Sequence, residues 1–145
     1  MFAPWTDGGA IDARYTCDGL NASPAISWSG LPAGTVQVAV AMVDDSDVSS
    51  GRPFIHWVIG GIDVTYDRLG ENEIPIGAAQ GLNFFGDVAY GGPCPDPGES
   101  HSYRLTVFAL AQQLELPNGT PSGEMLDFVG TVALATATVS GVATR

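Results

Sequence analysis

A chain of 145 residues makes one domain, and a hydrophobic content of 45% is enough to give it a core. Nineteen glycines and ten prolines fill a fifth of the positions, which suits strands joined by many turns and argues against a helical bundle. Sixteen acids face five arginines and no lysine, and the resulting net charge of −11 argues against a nucleic-acid or anionic-membrane partner.

The opening residues, Met1 to Asp7, carry neither the basic start nor the apolar run of a signal peptide. No stretch approaches the roughly 18 uninterrupted apolar residues that a membrane span needs. The chain is therefore read as a cytoplasmic, single-domain protein over residues 1–145. Residues 16–24, Thr-Cys-Asp-Gly-Leu-Asn-Ala-Ser-Pro, are turn formers and predict an ordered loop. A short strand follows at Ala25–Ser29. Val36–Val43 is almost wholly apolar and valine-rich between turn signals, which predicts a central strand covered on both faces.

Asp44–Gly51 reads as a polar loop. Phe54–Ile59 is the next strand, and alternation places Phe54, His56 and Val58 on one face. Residues 60–102 are irregular, with a weak strand at Leu82–Phe85 and a proline-rich loop at 91–98. Tyr103–Leu110 is a strong strand. Thr120, Pro121 and Glu124 mark a helix start, because proline tolerates the first helical position and acids favour the first turn. That helix runs to about Ala133, and a last strand covers Ala135–Val142. The sum is a mostly antiparallel β-sandwich with one or two short helices.

Few residues here can carry chemistry. His56 interrupts an apolar strand, where a titratable ring needs a partner to offset burial. His101 and Tyr103 are two apart and share a strand face, and Asp45 and Asp47 stand in the same relation before the His56 strand. The loop from Tyr90 to Gly98 combines three prolines with Gly91 and Gly92, so it is stiff and offers backbone amides as an anion cradle. Asp45–Ser49 resembles the opening of a calcium loop, but Ser50 and His56 stand where such a loop needs glycine and glutamate. No nucleophile elbow, phosphate-binding loop or dinucleotide fingerprint is present. Two histidines with Asp45 leave a small metal-dependent or hydrolytic enzyme as the alternative reading. Cys17 and Cys94 read as reduced thiols, with a bridge between them as the geometric alternative.

Five segments occur in one order: Tyr15–Trp28, Val43–Asp47, Phe54–Val58, Tyr90–Pro95 and His101–Tyr103. Together they resemble the phosphatidylethanolamine-binding protein family, in its bacterial and archaeal branch, across essentially the whole chain. The resemblance implies a family-type β-sandwich with a small anion pocket at one end and no cofactor. It assigns Asp45 and Asp47 to an aspartate loop, His56 with Phe54 to the following strand, Gly92 and Cys94 to a rigid loop, and His101 and Tyr103 to a last element. The chain departs from the family pattern at Ser46 and Ser49, which replace loop prolines, at Asp96, and at Ser102, which replaces an arginine. The implied protein is a non-enzymatic binder of a phosphate-like or carboxylate group, such as a phospholipid headgroup. The same resemblance implies restraint of a kinase or protease partner, and pairing as a homodimer.

Overall fold

The structure, a computed structural model, describes residues 1–145. In chain order it forms β1 (Gly9–Ala10), a 3-10 turn (Ala13–Tyr15), β2 (Ile26–Ser27), β3 (Gln37–Asp44) and β4 (Phe54–Asp63). These are followed by β5 (Arg68–Leu69), β6 (Ala79–Gln80), β7 (Ser100–Leu110), α1 (Ser122–Val132) and β8 (Ala133–Thr144). Six strands make one sheet in the order β1-β8-β7-β3-β4-β6, and β2 pairs with β5 in a separate ribbon.

The apolar run of β3 sits near the middle of the sheet because it is wanted on both sides. Val38, Val40 and Met42 enter a core with Trp57, Ile59, Ile62, Leu105 and Val107. Ala39, Ala41 and Val43 face the other way, toward Met125 and Val129 of α1. Burying each large side chain in these two layers contributes about 1.5–3 kcal/mol relative to exposure. β8 follows α1 directly, and its residues 134–138 are exposed.

β4 carries two irregularities. Met42 pairs with Trp57 and Val43 with Ile55, which leaves His56 as the extra residue of a bulge. The bulge turns His56 and Trp57 to one face, so strict alternation fails after His56. Phe54 and His56 do share a face, but Val58 joins Ile55 in the helix-side cluster. The second register shift lies at Gly60–Gly61, where Gly61 takes φ 74°, a left-handed value that an L side chain resists.

The sandwich expectation needs correction. The sheet is mixed, since β1 runs parallel to β8. The layer over its Trp57 face is not a second full sheet. It consists of the two-stranded ribbon and loops that deliver Ala3, Trp5, Ile11, Ile26, Trp28 and Leu69 to the core. β2 falls within the strand expected at Ala25–Ser29, whereas its two-residue partner β5 has no periodicity to read in sequence. Only one α-helix forms, starting after Pro121 with Glu124 in its first turn.

The strand expected at Leu82–Phe85 is also absent. Asn83 organises a turn there instead: its Oδ1 accepts from the Phe85 and Asp87 amides, both at 3.0 Å, and its Nδ2 donates to the Ala89 carbonyl at 2.8 Å. The strand pairing goes to β6, with Ile59 opposite Gln80.

Candidate functional site

A cavity of about 390 Å³ opens at the end of the sheet where β3, β4 and β7 meet the 91–98 loop. Strand parity decides which side chains enter it. On β7 the set Leu105–Val107 continues back through Tyr103 to His101, all on one face. On β3 the set Val38–Val40–Met42 continues to Asp44, which is 4% exposed and lines the cavity. On β4 the bulge adds His56 beside Phe54.

His56 is buried against aromatic rings. Its centroid lies 5.1 Å from those of Phe54 and Phe85 and 5.2 Å from that of Tyr103. Nδ1 donates to the Gly91 carbonyl at 2.7 Å, which fixes the tautomer and leaves Nε2 as an acceptor with no protein partner. Burial lowers the His56 pKa, outweighing the Gly91 hydrogen bond that acts in the other direction, so the ring is neutral near pH 7.

His101 is the opposite case. Its Nδ1 donates to Asp44 Oδ2 at 2.6 Å and its Nε2 to Glu99 Oε2 at 2.9 Å. Only an imidazolium donates from both nitrogens, and the Asp44 hydrogen bond above all raises the His101 pKa. Asp44 also accepts from the Ser46 and Asp47 amides, at 2.8 and 3.2 Å, so the turn after β3 is built on this one carboxylate.

Between the two histidines stands Tyr103, 1% exposed, with a hydroxyl that is buried and has no hydrogen-bond partner. Burial first and the Asp44 charge second raise its pKa, so it stays a donor throughout the physiological range. An orphaned buried hydroxyl is uncommon in folded proteins.

Four carboxylates line the cavity, those of Asp44, Asp47, Asp96 and Glu99, against the single cation His101. Asp47 Oδ1 accepts from the Ser49 hydroxyl at 2.7 Å and the Ser49 amide at 3.1 Å, and these bonds lower its pKa. The site is therefore acidic around a neutral, aromatic wall.

Of the residues singled out from sequence, Asp47, Phe54, His56, Cys94, His101 and Tyr103 line this one cavity. Asp45 does not. Odd parity turns it away, and it pairs instead with Arg104 Nη2 at 2.9 Å on the surface. The metal-dependent alternative loses its ligand set accordingly, because Asp45 is remote and both nitrogens of His101 are occupied. No group of three or more His, Cys, Asp or Glu side chains converges in a way that could hold a metal ion.

Gly92 supports the cavity from behind rather than lining it. Its amide donates to Asn21 Oδ1 at 2.7 Å, and a Cβ there would lie 2.6 Å from that same oxygen. The Gly91 amide donates to the His56 carbonyl at 3.0 Å. The amides of both glycines are spent inside the protein, so neither is free to meet an anion.

The cysteines are bridged, contrary to the expectation of free thiols. The Cys17 amide donates to the Pro93 carbonyl at 3.1 Å, and Gly92 lies on the backbone of Tyr15, which brings the two loops together. The Cα atoms of Cys17 and Cys94 are then 5.4 Å apart, within the range a disulfide spans, and the bond is formed. A separation of 77 residues hides this contact from the sequence.

Sequence reasoning missed Asp44, Phe85 and Glu99. Asp44 was legible, since the even-numbered apolar set of β3 points straight to it. Phe85 depends on the Asn83 turn, and Glu99 on an exposed loop, and neither leaves a periodic signal.

The family model described as phosphatidylethanolamine-binding protein matches residues 3–144. A UPF0098 protein of Methanothermobacter thermautotrophicus is 36% identical over 97% of this chain and 95% of its own length. A Mycobacterium tuberculosis protein named as a candidate lipoprotein, LppC, is 33% identical over 97% of this chain and 68% of its own. The crystal structure of Escherichia coli YbcL, described as a member of the mammalian PEBP family, superposes with a TM-score of 0.91 at 27% identity, covering 99% of this chain and 96% of that one. On the family match and the shared fold together, this chain belongs to the phosphatidylethanolamine-binding protein family.

Proposed function

We propose that this protein is a binding protein, not a catalyst, whose cavity takes a small zwitterion: an anionic phosphate or carboxylate group with an ammonium arm, as in the phosphoethanolamine headgroup. The observation that carries this reading is the orphaned Tyr103 hydroxyl beside the neutral His56 ring, inside a rim of carboxylates. An anionic oxygen supplies the acceptor that Tyr103 lacks. A bare dianion would be repelled by the four carboxylates, whereas an ammonium group beside it complements them. The aromatic faces of Phe54 and Phe85 add a cation–π contribution. The family's name agrees with this chemistry.

The disulfide favours an oxidising compartment over the cytosol, in which such bonds are rare. That LppC is named as a lipoprotein points the same way.

Calorimetric titration tests the reading. O-phosphoethanolamine is expected to bind at least tenfold more tightly than inorganic phosphate or sulfate, and Tyr103→Phe to remove most of that affinity. Equal affinity for the bare anions, or no binding of phosphoethanolamine, refutes it. An anion next to His56 also favours the imidazolium, so the affinity for sulfate, whose charge is fixed over this range, should rise as pH falls from 8 toward about 5.5, below the usual histidine value.

A further inference from the structure

We propose that the Cys17–Cys94 bond is a thiol-exchange site: a small thiol attacks the sulfur of Cys17, the exposed residue of the pair, and releases Cys94 as a thiolate in the wall of the ligand cavity. Three observations converge on this direction of attack. Cys17 is exposed on the 16–24 loop, whereas Cys94 is partly buried and lines the cavity. Arg145 donates to Asp18 Oδ1 through Nε at 3.1 Å and to Cys94 Sγ through Nη1 at 3.8 Å. A guanidinium beside the departing sulfur stabilises the leaving thiolate, and a better leaving group departs faster. Cys94 stands between Pro93 and Pro95, which have no N–H, so its side chain is the covalent tie from this stretch to the 16–24 loop, beside the Cys17 amide bond to the Pro93 carbonyl.

The step balances simply. The incoming thiolate forms a bond to Cys17 Sγ, the Cys17–Cys94 bond breaks, and its electron pair leaves with Cys94 Sγ. A second molecule of the same thiol then displaces Cys17. The protein disulfide is reduced to two thiols, and two small thiols are oxidised to one small disulfide. The loops stay in register meanwhile, because the Gly92–Asn21 bond and the Tyr90 hydroxyl bond to the Tyr15 carbonyl, both 2.7 Å, do not involve sulfur. What changes is the cavity: Cys94 and Pro95 lose their covalent anchor to the 16–24 loop, and the wall they form loosens. Ligand binding therefore weakens on reduction. That consequence rests on the binding reading above, and the exchange site does not.

The test uses the full-length oxidised protein without denaturant. Glutathione is added in excess, samples are quenched with N-ethylmaleimide, and the peptides are weighed. The expected product carries glutathione on Cys17 and maleimide on Cys94. Glutathione on Cys94, equal labelling of both, or no adduct where the unfolded chain reacts readily overturns the assignment. Arg145→Ala is expected to slow the exchange about threefold and Arg145→Lys to restore most of it; an unchanged rate in Arg145→Ala removes Arg145 from the proposal. Circular dichroism of the reduced protein should remain native, and unfolding on reduction refutes the picture of a local change. Amide resonances of His101 and Tyr103 should shift on reduction, and unmoved signals break the link to the cavity. O-phosphoethanolamine should bind the reduced form at least fivefold more weakly. If it binds neither form, the functional proposal fails while the adduct map still decides the exchange site.

Discussion

His56 and His101 flank the same tyrosine, with ring centroids 5.2 and 6.3 Å from that of Tyr103, and they are in opposite charge states. His56 lies inside an aromatic wall and donates one hydrogen bond, to a carbonyl. His101 lies toward solvent between two carboxylates. The chemistry of the two side chains is identical, so the difference comes entirely from surroundings. Where desolvation dominates, the ring stays neutral; where carboxylates face both nitrogens, it takes a proton. A histidine at a cavity wall is thus not a positive charge by default, and in this protein the one nearer the Tyr103 ring is the neutral one.

The largest effect separates the adjacent aspartates that strand parity sends to opposite faces. Asp44→Ala strips His101 and the Ser46 and Asp47 amides of a buried acceptor and should cost about 3 kcal/mol in urea unfolding. Asp45→Ala removes only an exposed pair with Arg104 and should cost less than about 0.5 kcal/mol. Comparable losses from the two variants would break the contrast.

Next in size is Tyr103→Phe. The hydroxyl is buried and unpaired without ligand, so removing it should leave the protein as stable or stabilise it by up to about 1 kcal/mol. A clear loss in thermal melting would mean that the hydroxyl is already paired and the site less demanding than proposed.

The two histidines should also pull stability in opposite directions with pH. His101 has a raised folded pKa, so its contribution is complete below about 6.5, the unfolded value, and is lost as pH rises through the folded value. His56 has a lowered folded pKa, so its contribution is complete above about 6.5 and is lost as pH falls through the folded value. Unfolding free energies measured from pH 5 to 9 should lose their alkaline decline in His101→Gln and part of their acid decline in His56→Gln. Parallel slopes in the two variants would contradict the assigned charge states.

The smallest effect is expected from Glu99→Gln. Its carboxylate is 54% exposed, so the stability change should be a few tenths of a kcal/mol. An imidazole NMR titration should nonetheless show the His101 pKa falling, by less than in Asp44→Asn. The reverse order would make Glu99 the main partner.

Sequence alone determined the elements whose burial is periodic. β3 had to be central because it is apolar at every position but its ends, and β7 and the Phe54 end of β4 followed from the same logic. Parity on β7 placed His101 and Tyr103 together, and parity on β3 already contained Asp44. The rest required distant segments to meet. The bulge at His56 depends on the register that β3 imposes, and Phe85 reaches the ring only through the Asn83 turn. The mixed sheet rests on a two-residue parallel strand, and the disulfide on loops 77 residues apart. The charge of each histidine was likewise decided in three dimensions, because desolvation and carboxylate partners are properties of the packed site and not of the residue.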